Sequence, residues 1–284
     1  MNSLKKLIIP LIVFPFISAC SQDFSSGIIF EKEGYHFPYR LNTPEKSWNM
    51  PVSLTEISGI SYIDEQRLAC IQDEKGIIFI FNTKAEKIDK EIIFGDNGDY
   101  EDVAVLGRDA WILKSNGTLY ELPDFMNNTG RTTKKYPTAL SDINDAEGLA
   151  FDLTGNSLLI ACKEEPFMDG SLVKKQKAVY NFNLEKKILE SKPWLLISLD
   201  SLKSKGTFKP SGIAIHPVTG EIYVLASAGK GLLVLSRQGI ILAQVQLNPE
   251  QFRQPEGICF GPSGELYISS EGAGREGRIF RFAQ

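Results

Sequence analysis

Apolar and polar residues alternate over short stretches of this chain, and no long stretch shows the 3.6-residue periodicity of an amphipathic helix. Alternation of this kind predicts β-strands that pack on one or both faces. Between the stretches, Asn, Asp, Pro and Gly concentrate in segments such as DLTGN, HPVTG and GPSG. Tight hairpin turns require these residue types. The pattern therefore predicts an all-β protein.

One arrangement of strands and turns recurs five times along the chain. The repeats begin at Glu56, Tyr100, Ala146, Pro210 and Pro255. Their equivalent positions are Gly59, Asp102, Gly148, Gly212 and Gly257, which are 43, 46, 64 and 45 residues apart. A spacing in the mid-forties is typical of one four-stranded propeller blade. We predict a five-bladed β-propeller of four-stranded antiparallel blades, with a six-bladed ring as the alternative.

A propeller must close its ring, because an open ring would expose unpaired strand edges. The last repeat supplies only three strands before the chain ends at Gln284. We predict that Gly34–Asn42 forms the outermost strand of the last blade and closes the ring. The alternative is a disordered N-terminal extension. The excess in the 64-residue interval follows Glu165 and indicates a long polar loop.

The N-terminal residues differ in character from the rest of the chain. Two lysines precede an apolar stretch from Leu7 to Ile17, which is too short to cross about 30 Å of hydrocarbon but suits a signal peptide. The segment Ile17-Ser18-Ala19-Cys20 resembles a bacterial lipobox. We predict a leader over 1–20 that ends at a lipidated Cys20, a tether over 21–30 and a single propeller domain over 31–284. This places the protein in the bacterial cell envelope, held by lipid and facing the periplasm or the cell surface. The alternative is an ordinary secretory signal with an incidental cysteine.

Composition narrows the possible partners. The 284 residues carry a net charge of −4 without a basic stripe, which argues against nucleic acid, and we expect a monomer. Cys70, Cys162 and Cys259 lie in strand-like segments, so we predict buried free thiols, with one disulfide and one orphan as the alternative. No nucleophile elbow, phosphate loop, zinc-protease helix or dinucleotide motif is present.

Acidic residues recur where the repeats begin. In a propeller, the start of the innermost strand and the turn after the second strand lie at the same end of the central channel, so these acids should meet at its mouth. Their mutual repulsion favours a bound hard cation, and calcium suits oxygen ligands, whereas only two His argue against zinc or copper. The predicted metal-binding residues are Glu56, Asp73, Glu101, Glu147 and Glu256. The residues predicted to surround them are Glu74, Lys163, Glu164 and Glu271. Alternatively, the recurring carboxylates only accept backbone N–H groups from neighbouring blades and were inherited with the repeat.

Several ordered motifs resemble the SdiA-regulated family over about residues 54–284. They are EISGI, GDYEDVAV, DAEGLAFD, FKPSGIAIHPVTGEIYVLAS and QPEGICFGPSGELYISSEG. The resemblance implies a five-bladed propeller, distantly similar to NHL-repeat propellers, and a calcium ion, since at least one member binds one. This chain departs from the family in having Glu101-Asp102 where Glu-Gly is expected, which predicts an additional carboxylate at the site.

Two classes of function fit these observations. The first is a membrane-anchored, calcium-binding propeller that acts as a binding or interaction module for an unidentified small molecule or protein. The second is a metal-dependent hydrolase of the lactonase or phosphoesterase type, with its site in the propeller funnel. The sequence names neither a ligand nor a substrate.

Overall fold

The computed structural model describes residues 26–127, 133–171, 173, 175–204 and 206–284. The N-terminal strands are β1 (Gly27–Glu31) and β2 (Lys46–Asn49). Blade 1 contains β3 (Ile57–Asp64), β4 (Arg67–Gln72), β5 (Ile77–Asn82) and β6 (Lys87–Ile93). Blade 2 contains β7 (Tyr100–Leu106), β8 (Asp109–Lys114), β9 (Leu119–Leu122) and β10 (Lys134–Tyr136). Blade 3 contains β11 (Ala146–Asp152), β12 (Ser157–Cys162), β13 (Gln176–Asn183), β14 (Ile188–Leu189) and β15 (Leu195–Ser198).

Blade 4 contains β16 (Lys209–Ile215), β17 (Ile222–Ala228), β18 (Gly231–Leu235) and β19 (Ile241–Gln246). Blade 5 contains β20 (Gln254–Phe260), β21 (Leu266–Glu271) and β22 (Arg278–Phe282). Two short 3₁₀ helices cover Val52–Leu54 and Leu199–Ser201 in the described part of the chain.

The five antiparallel sheets form a five-bladed β-propeller, which confirms the predicted fold and excludes six blades. The innermost strands β3, β7, β11, β16 and β20 contact one another in sequence, and β20 returns to β3. In four of the five blades the inner strand approaches the next so closely that a side chain would clash, and the position is glycine. A Cβ added to Gly212 would lie 2.4 Å from the backbone oxygen of Glu256, and one on Gly148 would lie 2.9 Å from the backbone of Gly212. The recurring glycine therefore reflects packing between blades.

The hydrophobic core lies between neighbouring blades. Five clusters of buried side chains each combine residues of two adjacent blades, so burial links the sheets around the ring. Cys70, Cys162 and Cys259 are buried free thiols, as predicted. Burial raises the pKa of each thiol, which leaves the sulfur protonated and unreactive.

An N-terminal strand closes the ring, but a different segment supplies it. The closing strand is β2, whose Trp48 is paired with Ile279 of β22, so the prediction of Gly34–Asn42 was wrong. Residues 34–42 form no strand and instead bury Phe37, Tyr39 and Leu41 between blades 4 and 5. The alternation of apolar and polar residues in this segment reflects burial of one of its faces. Pro38 has no backbone N–H group to donate to a neighbouring strand. The Tyr39 hydroxyl donates to the carbonyl oxygen of Gly264 at 2.6 Å, which fixes this segment.

The predicted tether also differs from the structure. Strand β1 pairs with β19 and forms a fifth, outermost strand of blade 4, so residues 27–30 belong to the propeller. Two adjacent isoleucines, Ile28 and Ile29, give this segment the β propensity that a tether lacks. The predicted leader and Cys20 lie outside the described residues. Among the described residues, the structure has no helix of the length and apolar character needed to span a membrane.

Candidate functional site

A bulge near the start of each inner strand sets the geometry of the channel mouth. The pairing of each inner strand with its second strand skips residues at this point, and a bulge turns the unpaired side chain away from the regular ladder. The skipped positions that are equivalent in the five blades are Ser58, Glu101, Glu147, Ser211 and Glu256. Glu56 is therefore not the equivalent of the other glutamates, because it lies in the turn before β3.

The channel mouth contains a polar cavity of about 210 Å³. Its lining residues are Glu56, Ser58, Asp73, Asp99, Glu101, Glu147, Lys163, Gln254, Glu256 and Glu271. Seven carboxylates thus face one lysine in this cavity. All five residues that were predicted to bind a metal line this cavity, together with Lys163 and Glu271.

Two residues nominated for the surroundings of the site do not line this cavity. Glu74 is exposed, and Glu164 forms an ion pair with Lys209 of blade 4. Three further residues line the cavity that were not predicted from the sequence, namely Ser58, Asp99 and Gln254. The last two lie within two residues of a nominated glutamate, in GDYED and QPEG, and this proximity was the available signal.

Lys163 neutralises part of the negative charge on one side of the cavity. Its ammonium group donates to Glu147 at 2.6 Å and lies 3.6 Å from Asp145. Burial alone would lower the pKa of Lys163, but these two carboxylates outweigh burial and raise it, so the ammonium group stays charged. Burial nevertheless raises the pKa of Glu147 to about 7, despite the opposing effect of Lys163.

Two other glutamates on this side hold protons at neutral pH. Burial, followed by repulsion from Glu147 and Asp99, raises the pKa of Glu101 to about 10. Burial and repulsion from Glu147 raise the pKa of Glu256 to about 8. Protonation of these two glutamates lowers the negative charge that the single lysine of the cavity has to neutralise.

The opposite side of the cavity lies between blades 1 and 5 and has no cationic partner. Asp73 Oδ1 is buried without a hydrogen-bond partner, and burial and the nearby Glu56 raise the pKa of Asp73. Burial and repulsion from Asp73 and Glu56 likewise raise the pKa of Glu271. Gln254 Nε2 donates to Glu271 Oε2 at 2.6 Å. Within the described ranges, none of Glu56, Asp73 and Glu271 forms an ion pair.

Asp102 does not add a carboxylate to this cavity, contrary to the expectation from its place in the repeat. It is 1% exposed and lies between blades 2 and 3. Its Oδ2 accepts the N–H of Leu149 at 2.7 Å, and its Oδ1 accepts the N–H of Val103 at 2.8 Å. Asp102 therefore has the alternative role expected from the sequence, in which a recurring carboxylate accepts a backbone N–H group of the neighbouring blade. The glutamates at the mouth show no such bonds to the backbone of an adjacent blade among the described residues.

The carboxylates of the cavity are suitable ligands for a hard cation, but they lie too far apart to enclose one as they are placed. Calcium binds carboxylate, carbonyl and water oxygens, and the cavity supplies the first of these together with the unpartnered Asp73 Oδ1. In the part of the chain that the structure describes, no three His, Cys, Asp or Glu side chains are arranged closely enough to enclose a metal ion. An ion here would need water ligands or inward movement of the carboxylates.

The sequence model of the SdiA-regulated family matches residues 35–274. The chain belongs to the SdiA-regulated family. The match includes strands from all five blades of this SdiA-regulated propeller and the residues of the acidic mouth. No curated protein matches the chain.

Solved structures with the same fold include several enzymes. A glutaminyl cyclase from Myxococcus xanthus is 11% identical with a TM-score of 0.54, and the match covers 85% of this chain and 95% of that one. A gluconolactonase from Xanthomonas campestris is 14% identical with a TM-score of 0.53, covering 80% and 72%. A luciferin-regenerating enzyme is 16% identical with a TM-score of 0.52, covering 80% and 78%. At these identities the likeness establishes the propeller fold of the SdiA-regulated chain and not its chemistry.

Proposed function

We propose that this protein is a binding module of the cell envelope whose acidic channel mouth holds a calcium ion. One observation carries the proposal: Asp73 Oδ1 is buried without a hydrogen-bond partner, and Asp73 lines a cavity together with Glu56 and Glu271. A buried carboxylate oxygen without a donor is costly, and a hard cation would remove that cost. The same ion would offset the repulsion among the three carboxylates.

The ion is expected on the side of blades 1 and 5. Lys163 already compensates Glu147 on the other side of the cavity, whereas Glu56, Asp73 and Glu271 have no such partner. Calcium takes six to eight oxygens, so water would complete a set that these three carboxylates begin. Glu101, Glu147 and Glu256 would then surround the ion without all binding it directly.

Anchoring of this module to a membrane rests on the predicted lipidation of Cys20. Each buried CH₂ of an acyl chain contributes about 0.8 kcal/mol, so several chains on one residue would hold the propeller at a lipid surface. The propeller would then present its channel mouth to a ligand near that surface.

Calorimetric titration of the purified protein with calcium is the first test. We expect saturable binding to the wild type, and Asp73→Asn should weaken it at least about tenfold, because the variant removes one ligand charge. Glu74→Gln is the matched control, since it removes one negative charge from the same turn but outside the cavity. An equal loss in both variants would reduce the effect to non-specific attraction and refute the site.

A metal-dependent hydrolase remains the second candidate, and a specific observation favours it. Glu147 lies in the cavity, is hydrogen-bonded to Lys163 and has a pKa raised by burial to about 7, a value that suits a general base. A panel of lactones and phosphoesters, assayed with and without chelator, separates the two functions. Turnover that the chelator inhibits and Glu147→Gln abolishes would establish the hydrolase, whereas calcium binding without turnover would support the binding module.

A further inference from the structure

A second cavity adjoins the acidic mouth and has a different character. It encloses about 320 Å³ at one end of blade 5. Gln251 lines it together with Arg253, Ser270, Glu271, Arg275, Glu276 and Arg278. Three arginines therefore meet two glutamates, and Glu271 forms part of the wall of both cavities.

The three guanidinium groups are not paired with any described carboxylate, and they outnumber the two glutamates of the cavity. Among the residues that the structure describes, Arg253, Arg275 and Arg278 form no ion pair, although twelve ion pairs occur elsewhere. Like charges that share a cavity repel one another, and an anion between them turns this repulsion into attraction. Guanidinium groups also match the oxygen geometry of phosphate through paired hydrogen bonds.

The backbone that presents these arginines is held in place. The turn between β21 and β22 is closed by the N–H of Arg275, which donates to the Gly272 oxygen at 3.1 Å. The N–H of Gly272 donates to the Thr55 oxygen at 3.2 Å, which attaches the turn to the start of blade 1. Ala273 adopts a left-handed conformation with φ of 47°, which L-residues with a side chain seldom adopt. Arg275 thus extends from a hydrogen-bonded turn, and Arg278 extends from the first position of β22.

A buried hydroxyl adds a directed donor to this cavity. Ser270 is 2% exposed, and its Oγ accepts the N–H of Gln254 at 3.1 Å. The only acceptor for its hydroxyl hydrogen among the described residues is the Glu271 backbone oxygen at 3.4 Å, which is long for an O–H···O bond. The Ser270 hydroxyl is therefore available to donate to a ligand inside the cavity.

We propose that this arginine pocket, lined by Arg253, Arg275, Arg278 and Ser270, binds the phosphate group of a small molecule. A phosphate offers several acceptor oxygens and up to two negative charges, which suits three guanidinium groups and one hydroxyl. The inference does not depend on calcium, because none of the arginines lines the acidic mouth. Because Glu271 separates the two cavities, a ligand held here would extend towards the mouth of the channel.

Titration of the purified protein with inorganic phosphate in calcium-free, chelator-containing buffer tests the pocket. We expect saturable binding that Arg275→Gln and Arg278→Gln each weaken about tenfold, because one charge-assisted hydrogen bond is lost in each. Both side chains are exposed, so the variants should fold, and unchanged thermal unfolding would confirm it. Arg108→Gln is the matched control, since Arg108 is an exposed arginine of blade 2.

A second arm identifies the source of the phosphate. Sedimentation with phosphatidylcholine vesicles, with and without phosphatidic acid, asks whether the group belongs to a lipid. Binding that requires phosphatidic acid and is lost in Arg275→Gln would assign a lipid headgroup, and binding of inorganic phosphate alone would assign a soluble ligand. If the wild type binds neither, or if Arg108→Gln weakens binding as much as the pocket variants do, the arginine pocket is not a phosphate site.

Discussion

Glu101→Gln is expected to make the calcium-free protein more stable by at least about 2 kcal/mol at about pH 8. Burial, with repulsion from Glu147 and Asp99, raises the pKa of Glu101 to about 10, so the folded protein keeps a proton that the unfolded chain releases near pH 4.5. Between these two values the folded state binds more protons than the unfolded state. The free energy of unfolding therefore falls as the pH rises through this interval. Glutamine has the shape of the protonated side chain and no proton to lose.

Glu147 and Glu256 also make the free energy of unfolding fall as the pH rises, because burial raises the pKa of Glu147 to about 7 and that of Glu256 to about 8. The calcium-free wild type should thus be most stable in mild acid and lose stability towards about pH 8. Denaturant unfolding across this pH range, in the presence of chelator, measures the slope. Glu74→Gln serves as the control, because Glu74 is exposed outside the cavity. A Glu101→Gln protein that is less stable than wild type near pH 8 would show that the acidic mouth is not under electrostatic stress.

Trp48→Ala should cost about 3–5 kcal/mol of unfolding free energy. Trp48 is 4% exposed and lies on β2, the strand that closes the ring. Its indole N–H donates to the Thr83 oxygen of blade 1 at 2.9 Å, and its ring stacks on Tyr267 of blade 5 at 6.5 Å between centroids. Removing this side chain leaves a cavity between the first and last blades and frees the closing strand.

Thermal and denaturant unfolding measure this loss, and limited proteolysis reports whether the N-terminal segment detaches first. Trp194→Ala is the matched comparison, because Trp194 is a partly buried tryptophan that packs at the cluster between blades 3 and 4 and has no part in ring closure. We expect a smaller loss there. Equal losses in the two variants would mean that β2 has no special role in holding the ring together.

The fold was predictable because each blade repeats one strand pattern, and five copies of a weak signal outweigh any local ambiguity. The closing segment was not predictable in the same way. Residues 34–42 alternate apolar and polar side chains, but alternation reports that one face is buried and not that the backbone has a ladder partner. The true closing strand, KSWN, is four residues long with one buried side chain, too short to show a period.

The candidate site was predictable where it follows from the repeat and not where it depends on local backbone shape. Glu101, Glu147 and Glu256 occupy equivalent positions, so the same bulge brings them to the channel mouth. The equivalence of Gly59 with Asp102, Gly148 and Gly257 already places Ser58 opposite these glutamates, and Glu56 reaches the mouth from the turn before β3 instead.

Long-range partners were also invisible in the sequence. Glu164 pairs with Lys209 across a blade boundary, 45 residues along the chain. The arginine pocket likewise combines residues before β20 with the turn that follows β21, and this turn has no counterpart of the same sequence in the other repeats. Such contacts depend on how the blades are packed, which the strand pattern does not specify.

A crystal structure of the protein grown with calcium, with anomalous scattering used to locate the ion, decides whether the channel mouth is a calcium site. We expect an anomalous peak in the channel-mouth cavity, from an ion bound by Asp73 and by at least one of Glu56 and Glu271. A cavity that holds only water at saturating calcium, or an ion bound elsewhere on the propeller, would contradict the proposed calcium site.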